Sequence, residues 1–117
     1  FRDLNLNALR AESIKLSDLF IKMVEQMCPD LQLESPLNSS ERGSQVSFSH
    51  PSGYAIMQAL IDRNIVGDFR APNIIRFGIT PLYINEEDII QTVKVLEEIL
   101  TKKLWDNPTY LNRKKVT

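Results

Sequence analysis

The segment APNIIRFGITPLY, residues 71–83, sets a single arginine among isoleucines and a phenylalanine. A guanidinium keeps its charge near neutral pH, and an unpaired buried one is strongly disfavoured, so Arg76 must meet an anion. In an extended strand, Ile75, Phe77 and Ile79 share one face while Ile74, Arg76 and Gly78 share the other. The first face is core. On the second, Gly78 puts no side chain beside the guanidinium, and a ligand or another backbone has room to approach. Such an arrangement suits carboxylate recognition, because the guanidinium fork donates two parallel hydrogen bonds to a planar anion. The alternative is an ion pair with a structural Asp or Glu on an exposed sheet face, and spacing alone favours it, since most strand charges are solvated.

The other candidates are weaker. ERGSQ, 41–45, could cradle an anion through the backbone N–H groups around Gly43, but a turn that sets strand register is the better reading of one glycine. GDFRAPN, 67–73, is a tight connection in which a local pairing of Asp68 with Arg70 is expected in preference to a catalytic dyad. His50 is the only histidine and precedes Pro51, a place that suits helix capping better than catalysis. No nucleophile and base can be paired from these residues, and neither a metal-ligand cluster nor a glycine-rich phosphate loop is present.

The elements that must carry these residues follow from periodicity. Residues 3–27 hold a helix whose Leu16, Leu19, Phe20, Met23, Val24 and Met27 keep three-and-four spacing until Pro29 stops it. A helix of that length either bridges two bodies or has unsupported first turns. LQLESP alternates and predicts a short strand, NSSERG a turn or loop, and SQVSFSH a half-buried strand with Val46 and Phe48 inward. Pro51 is placed to start a helix that Asn64 or Gly67 closes. IVGDF reads as a short strand, APN as a turn and IIRFGIT as a firmer strand ended by Pro81. Asn85 and Asp88 resemble a capping box opening a last helix, with Ile89, Val93, Leu96, Leu100 and Leu104 as its apolar stripe and Lys102 and Lys103 in its last turn. The expected fold is α+β: a two-layer sandwich with a three- to four-stranded, mainly antiparallel sheet and helices packed on one face.

With 14 basic and 15 acidic residues interspersed, the chain carries a formal charge of -1, which argues against a nucleic-acid surface or a polybasic membrane patch. One cysteine, Cys28, excludes an intramolecular disulfide and suits a reducing compartment, so a cytoplasmic location is expected. No apolar run approaches the roughly 20 residues of a bilayer span. The chain opens without Met and almost at once enters what reads as a helix, which hints at a piece of a longer protein.

RGSQVSF at 42–48 and HPSGYAIMQALIDRNIVGDFRAPNIIRFGITPLY at 50–83 resemble the C-terminal part of kynureninase, a pyridoxal-phosphate enzyme of the aspartate-aminotransferase fold type. The likeness runs from about LRAESIKLSDLF to LEEIL. It implies that residues 1–117 are the small domain of a larger homodimeric hydrolase and that residues 1–28 are a long interdomain helix; residues 105–117, at its end and mostly outside it, are expected from the sequence to form a flexible tail. It further implies hydrolysis of L-kynurenine, or its 3-hydroxy form, to anthranilate or 3-hydroxyanthranilate and L-alanine, in tryptophan catabolism and NAD biosynthesis. Arg76, in IIRFG, matches the family arginine that binds the α-carboxylate of the amino-acid substrate, which reverses the preference for a merely structural ion pair. The cofactor lysine belongs to the large domain. Lys15, Lys22, Lys94, Lys102, Lys103, Lys114 and Lys115 lie on helices or the tail, and none matches it, so this chain alone is expected to be inactive and without catalytic or cofactor-binding residues. Three alternatives stand beside this: the small domain of another aminotransferase-fold enzyme such as a cysteine desulfurase, a freestanding amino-acid-binding regulatory module, and a structural interaction domain. The last is favoured if Arg76 pairs with a carboxylate of its own chain.

Overall fold

The computed structural model describes residues 6–35, 45–79 and 84–111. In chain order it contains α1 (Leu6–Met27), β1 (Gln32–Leu33), β2 (Gln45–Ser49), α2 (Gly53–Asp62), β3 (Asp68–Arg70), β4 (Ile74–Gly78), α3 (Glu86–Thr101) and the short α4 (Pro108–Leu111). The strands form one antiparallel sheet in the order β1-β2-β4-β3. The α+β architecture expected from periodicity is therefore the one the chain adopts.

Alternation in β2 and β4 decides what the sheet buries. Val46 pairs with Phe77 and Phe48 with Ile75. All four are buried on the helix-covered face, while Gln45 and Gly78 of the other face stay exposed. From α1, Phe20 enters this layer edge-on, its ring centroid 5.8 Å from Phe48 and 5.0 Å from Phe77. Leu16, Phe20 and Val24 form the stripe of α1 that meets the core, as their four-residue spacing requires. By contrast, no residue from Asn7 to Glu12 is buried, so the first turns of this 22-residue helix run past the core it packs on.

The ends of the elements depart from expectation where local signals competed. LQLESP keeps only Gln32–Leu33 as strand, because β1 is an edge strand paired with β2 at two positions. Helix α2 begins at Gly53 rather than Pro51, with Ser52 as N-cap. A methyl group placed on Gly53 would sit 2.7 Å from the Asn73 carbonyl oxygen, so the helix start lies against the β3–β4 turn as only glycine permits. Asn64 ends α2 with φ 66, a left-handed conformation that asparagine tolerates. The short strand after it is Asp68–Arg70 rather than IVGDF, displaced toward the hairpin partner it needs.

Helix α3 opens with the predicted capping box: the Asp88 N–H donates to Asn85 Oδ1 at 2.9 Å, and the Asn85 N–H donates to Asp88 Oδ2 at 3.0 Å. Its buried stripe is Ile89, Val93, Leu96 and Ile99, with Leu100 and Leu104 half-buried alongside instead of central. Lys102 and Lys103 fall just beyond Thr101 and outside the last turn, Lys103 with φ 51. Of the expected flexible tail, the first part packs. Trp105 meets His50 edge-on, and the Tyr110 hydroxyl donates to Asp62 Oδ2 at 2.7 Å. Residues 112–117 lie outside the described residues.

Candidate functional site

Arg76 occupies the middle of β4, on the face opposite the core. Its neighbours on that face are Ile74 and Gly78 along the strand, Ser47 across on β2 and Asp68 across on β3. Two of these flanks are small. Among the described residues, a methyl group placed on Gly78 would meet nothing within 4 Å, which leaves open space beside the guanidinium. The flank across on β3 holds an anion. Arg76 Nε donates to Asp68 Oδ1 at 2.9 Å and Nη2 donates to Asp68 Oδ2 at 2.6 Å, a bidentate pair. The Arg76 side chain keeps 22% of its exposure and that of Asp68 55%, so the pair stands at the surface.

Each group shifts the other in the expected sense. The hydrogen bonds from Arg76, aided by its charge and that of Arg70, hold the Asp68 carboxyl below its usual range, and the same bonds raise the guanidinium further above neutrality. Both stay ionised at physiological pH. A groove of about 830 Å³ runs past the pair, lined among others by Arg76, Asp68, Gly67, Gly78, Ile84 and Gln91. A guanidinium at the rim of such a groove can bind a carboxylate, with selectivity set by its planar fork.

The local pairing of Asp68 with Arg70 is corrected. Alternation sends both side chains to one face of β3, but Arg70 lies opposite Ile74 while Asp68 lies opposite Arg76, so the cross-strand arginine is the one within bonding reach. Sequence reasoning missed this partner although its signal was present: an antiparallel hairpin turning on APN pairs 70 with 74 and therefore 68 with 76.

His50 caps, as its position suggested. Its Nδ1 accepts the Ser52 N–H at 2.9 Å and its carbonyl accepts the Gly53 N–H at 2.9 Å. Burial lowers its pKa, with nearby Asp30 opposing, which keeps the accepting nitrogen unprotonated. Cys28 is buried, and desolvation, with Glu97 and Asp30 adding, pushes its thiol up to about 12, so it is no nucleophile at neutral pH. The possible anion cradle at 41–44 lies outside the described residues. Among the described residues, no group of three or more His, Cys, Asp or Glu side chains could hold a metal ion, and no helix is long and apolar enough to cross a membrane.

The comparisons with known proteins agree on one family. The model of the kynureninase C-terminal domain matches residues 9–96. Kynureninase from Pseudomonas fluorescens is 46% identical across the whole of this chain, and those from Burkholderia mallei (strain SAVP1) and Burkholderia pseudomallei (strain K96243) are each 43% identical. The chain spans about 29% of the length of these relatives. With a family model covering three-quarters of it and curated relatives aligned over all of it, the chain belongs to the kynureninase C-terminal domain family.

Proposed function

We propose that this chain is the small domain of a kynureninase, a pyridoxal-phosphate-dependent hydrolase that cleaves L-kynurenine, or its 3-hydroxy form, to anthranilate or 3-hydroxyanthranilate and L-alanine, and that Arg76 binds the substrate's α-carboxylate. The observation that carries the role of Arg76 is its placement: a charged fork on the uncovered face of the sheet, with empty space over Gly78 and a groove beside it. The family match across residues 9–96 supports kynureninase over other small domains of the same enzyme fold type.

Arg76 contributes positioning. Pinning the carboxylate fixes the bonds at the amino acid's α-carbon relative to the reacting group and converts a loose encounter into an aligned complex. Pyridoxal phosphate supplies electron withdrawal when bound, but the described residues do not fit it: Lys15, Lys22, Lys94, Lys102 and Lys103 are all exposed on or just after helices, none on a strand or beside Arg76. The cofactor and its lysine therefore belong to the rest of a longer, homodimeric enzyme, and this chain alone is inactive. Proton transfers lie outside it too.

The test is Arg76→Lys in the full-length enzyme, assayed by anthranilate fluorescence with L-kynurenine. Lysine keeps the charge and loses the fork, so kcat/KM falls about 100-fold, mostly through KM. Unchanged kinetics refute the assignment. A second reading is favoured by the bidentate bond itself, since Arg76 does pair with a carboxylate of its own chain, the condition that favours a structural role: Asp68–Arg76 as a purely structural cross-strand clamp. On that reading Arg76→Met lowers the unfolding temperature and leaves KM where it was.

A further inference from the structure

We propose that Asp68 is a positioning residue for substrate binding: it captures one edge of the Arg76 guanidinium and thereby presents the opposite edge to the substrate's carboxylate. The inference rests on the reading of Arg76 as the carboxylate-binding residue, and goes beyond it by assigning a second residue and a geometry.

A guanidinium carries five N–H donors in a rigid plane. Asp68 takes Nε–H and one hydrogen of Nη2, the side-on edge. That leaves the second hydrogen of Nη2 and both of Nη1, and of these one from each nitrogen forms the end-on edge. Among the described residues nothing accepts from Nη1. One arginine can thus hold two carboxylates at once, each bidentate, on different edges of one plane.

The surroundings show why an anchor is needed. An arginine side chain has several rotatable bonds and so much rotamer freedom to lose on binding. Ser47 across on β2 and Gly78 along β4 are too small to restrict it, and a side chain added at Gly78 would find open space. Among the described residues only Asp68, on the edge strand β3, reaches the guanidinium and fixes its plane before substrate arrives. The backbone is built to keep Asp68 there. Its predecessor Gly67 lies so close to β4 that a methyl group on it would sit 2.7 Å from the Arg76 carbonyl oxygen. A strand start held that near the arginine puts the next carboxylate within bonding reach.

Two opposing effects follow from the presence of Asp68. Its negative charge repels an incoming carboxylate, and its bonds preorganise the fork that receives it. Asp68 is more than half exposed, so water weakens its repulsion of a carboxylate on the far edge, while its own hydrogen bonds to Arg76 act at direct contact. Preorganisation wins.

The experiment uses full-length enzyme with Asp68→Asn, Asp68→Ala and, as reference, Arg76→Lys. Asp68→Ala raises KM for L-kynurenine about tenfold or more and leaves kcat within about twofold, because the orienting bonds are lost while the reacting groups are untouched. Asp68→Asn, which keeps one acceptor oxygen, gives a smaller rise. Inhibition by the substrate's decarboxylated amine analogue stays the same in both variants, since it has no carboxylate to place. A KM that is unchanged or lowered by both variants overturns the proposal and makes Asp68 a competitor or a bystander. Equal weakening of substrate and amine analogue overturns it as well, because that is the mark of general structural damage. If Asp68→Ala does not fold, the near-isosteric Asp68→Asn decides by the same criteria. A normal KM in Arg76→Lys means that the carboxylate reading itself has failed; a raised KM there with no rise in the Asp68 variants refutes this proposal alone.

Discussion

Replacing Gly67 by alanine tests whether the approach of β3 to β4 controls the arginine. The added methyl would lie 2.7 Å from the Arg76 carbonyl oxygen and 3.0 Å from the Met57 methyl carbon. The methionine end can move aside, but a backbone carbonyl inside a sheet cannot. Relief therefore requires β3 to retreat by about 0.7 Å, the shortfall from the 3.4 Å at which ordinary contact begins. If Asp68 retreats with it, its bonds of 2.6 and 2.9 Å lengthen to about 3.3 and 3.6 Å, and the second ceases to be a hydrogen bond. Overpacking of this kind destabilises by about 1–3 kcal/mol. Since no described glycine has a positive φ, alanine is allowed at 67, and its lower unfolded-state entropy returns about 0.4–1 kcal/mol. A net loss of about 1–2 kcal/mol remains, to be read from urea unfolding of the full-length protein. KM for L-kynurenine rises in parallel, toward the value of Asp68→Asn. Unaltered stability together with unaltered KM would show that β3 yields freely and that its distance from β4 does not govern the Asp68–Arg76 bond.

Two further expectations concern the frame around the site. Asn85→Ala removes the side chain that accepts the Asp88 N–H, and loss of this cap lowers stability by about 1 kcal/mol, whereas Asn85→Gly costs only a few tenths; urea midpoints of the two variants check the difference. His50 gives a pH dependence of known sign. Its folded pKa lies below the ordinary 6.5, so in the interval between the two values the unfolded chain binds more protons, and stability present above 6.5 is lost as pH falls through that interval. The unfolding midpoint thus drops as pH falls below about 6.5, and His50→Gln flattens that part of the profile. A midpoint that rises on acidification contradicts the buried, accepting Nδ1.

How much was legible in the chain depends on the range of the interaction. The capping box at Asn85 and Asp88, the inward Val46 and Phe48, and the division of β4 into a core face and an arginine face were all readable, because each depends on periodicity or on bonds three residues apart. The start of α2 was misplaced because Pro51 is locally a good first helical residue, yet Gly53 must lie against Asn73, twenty residues on. Helix α3 buries Ile99 in place of Leu100, since both fit the stripe within its width and only the neighbouring layer selects between them.

The same division runs through the site. By itself the sequence determined that an arginine would stand on the non-core face of a strand with a glycine two positions on, and that the chain resembled kynureninase, because residue type, alternation and motif are local properties. What only the tertiary structure decided is the company Arg76 keeps. Pairing with Asp68 depends on hairpin register and on the contact of Gly67 with the Arg76 backbone, and both are set by how two strands meet in space.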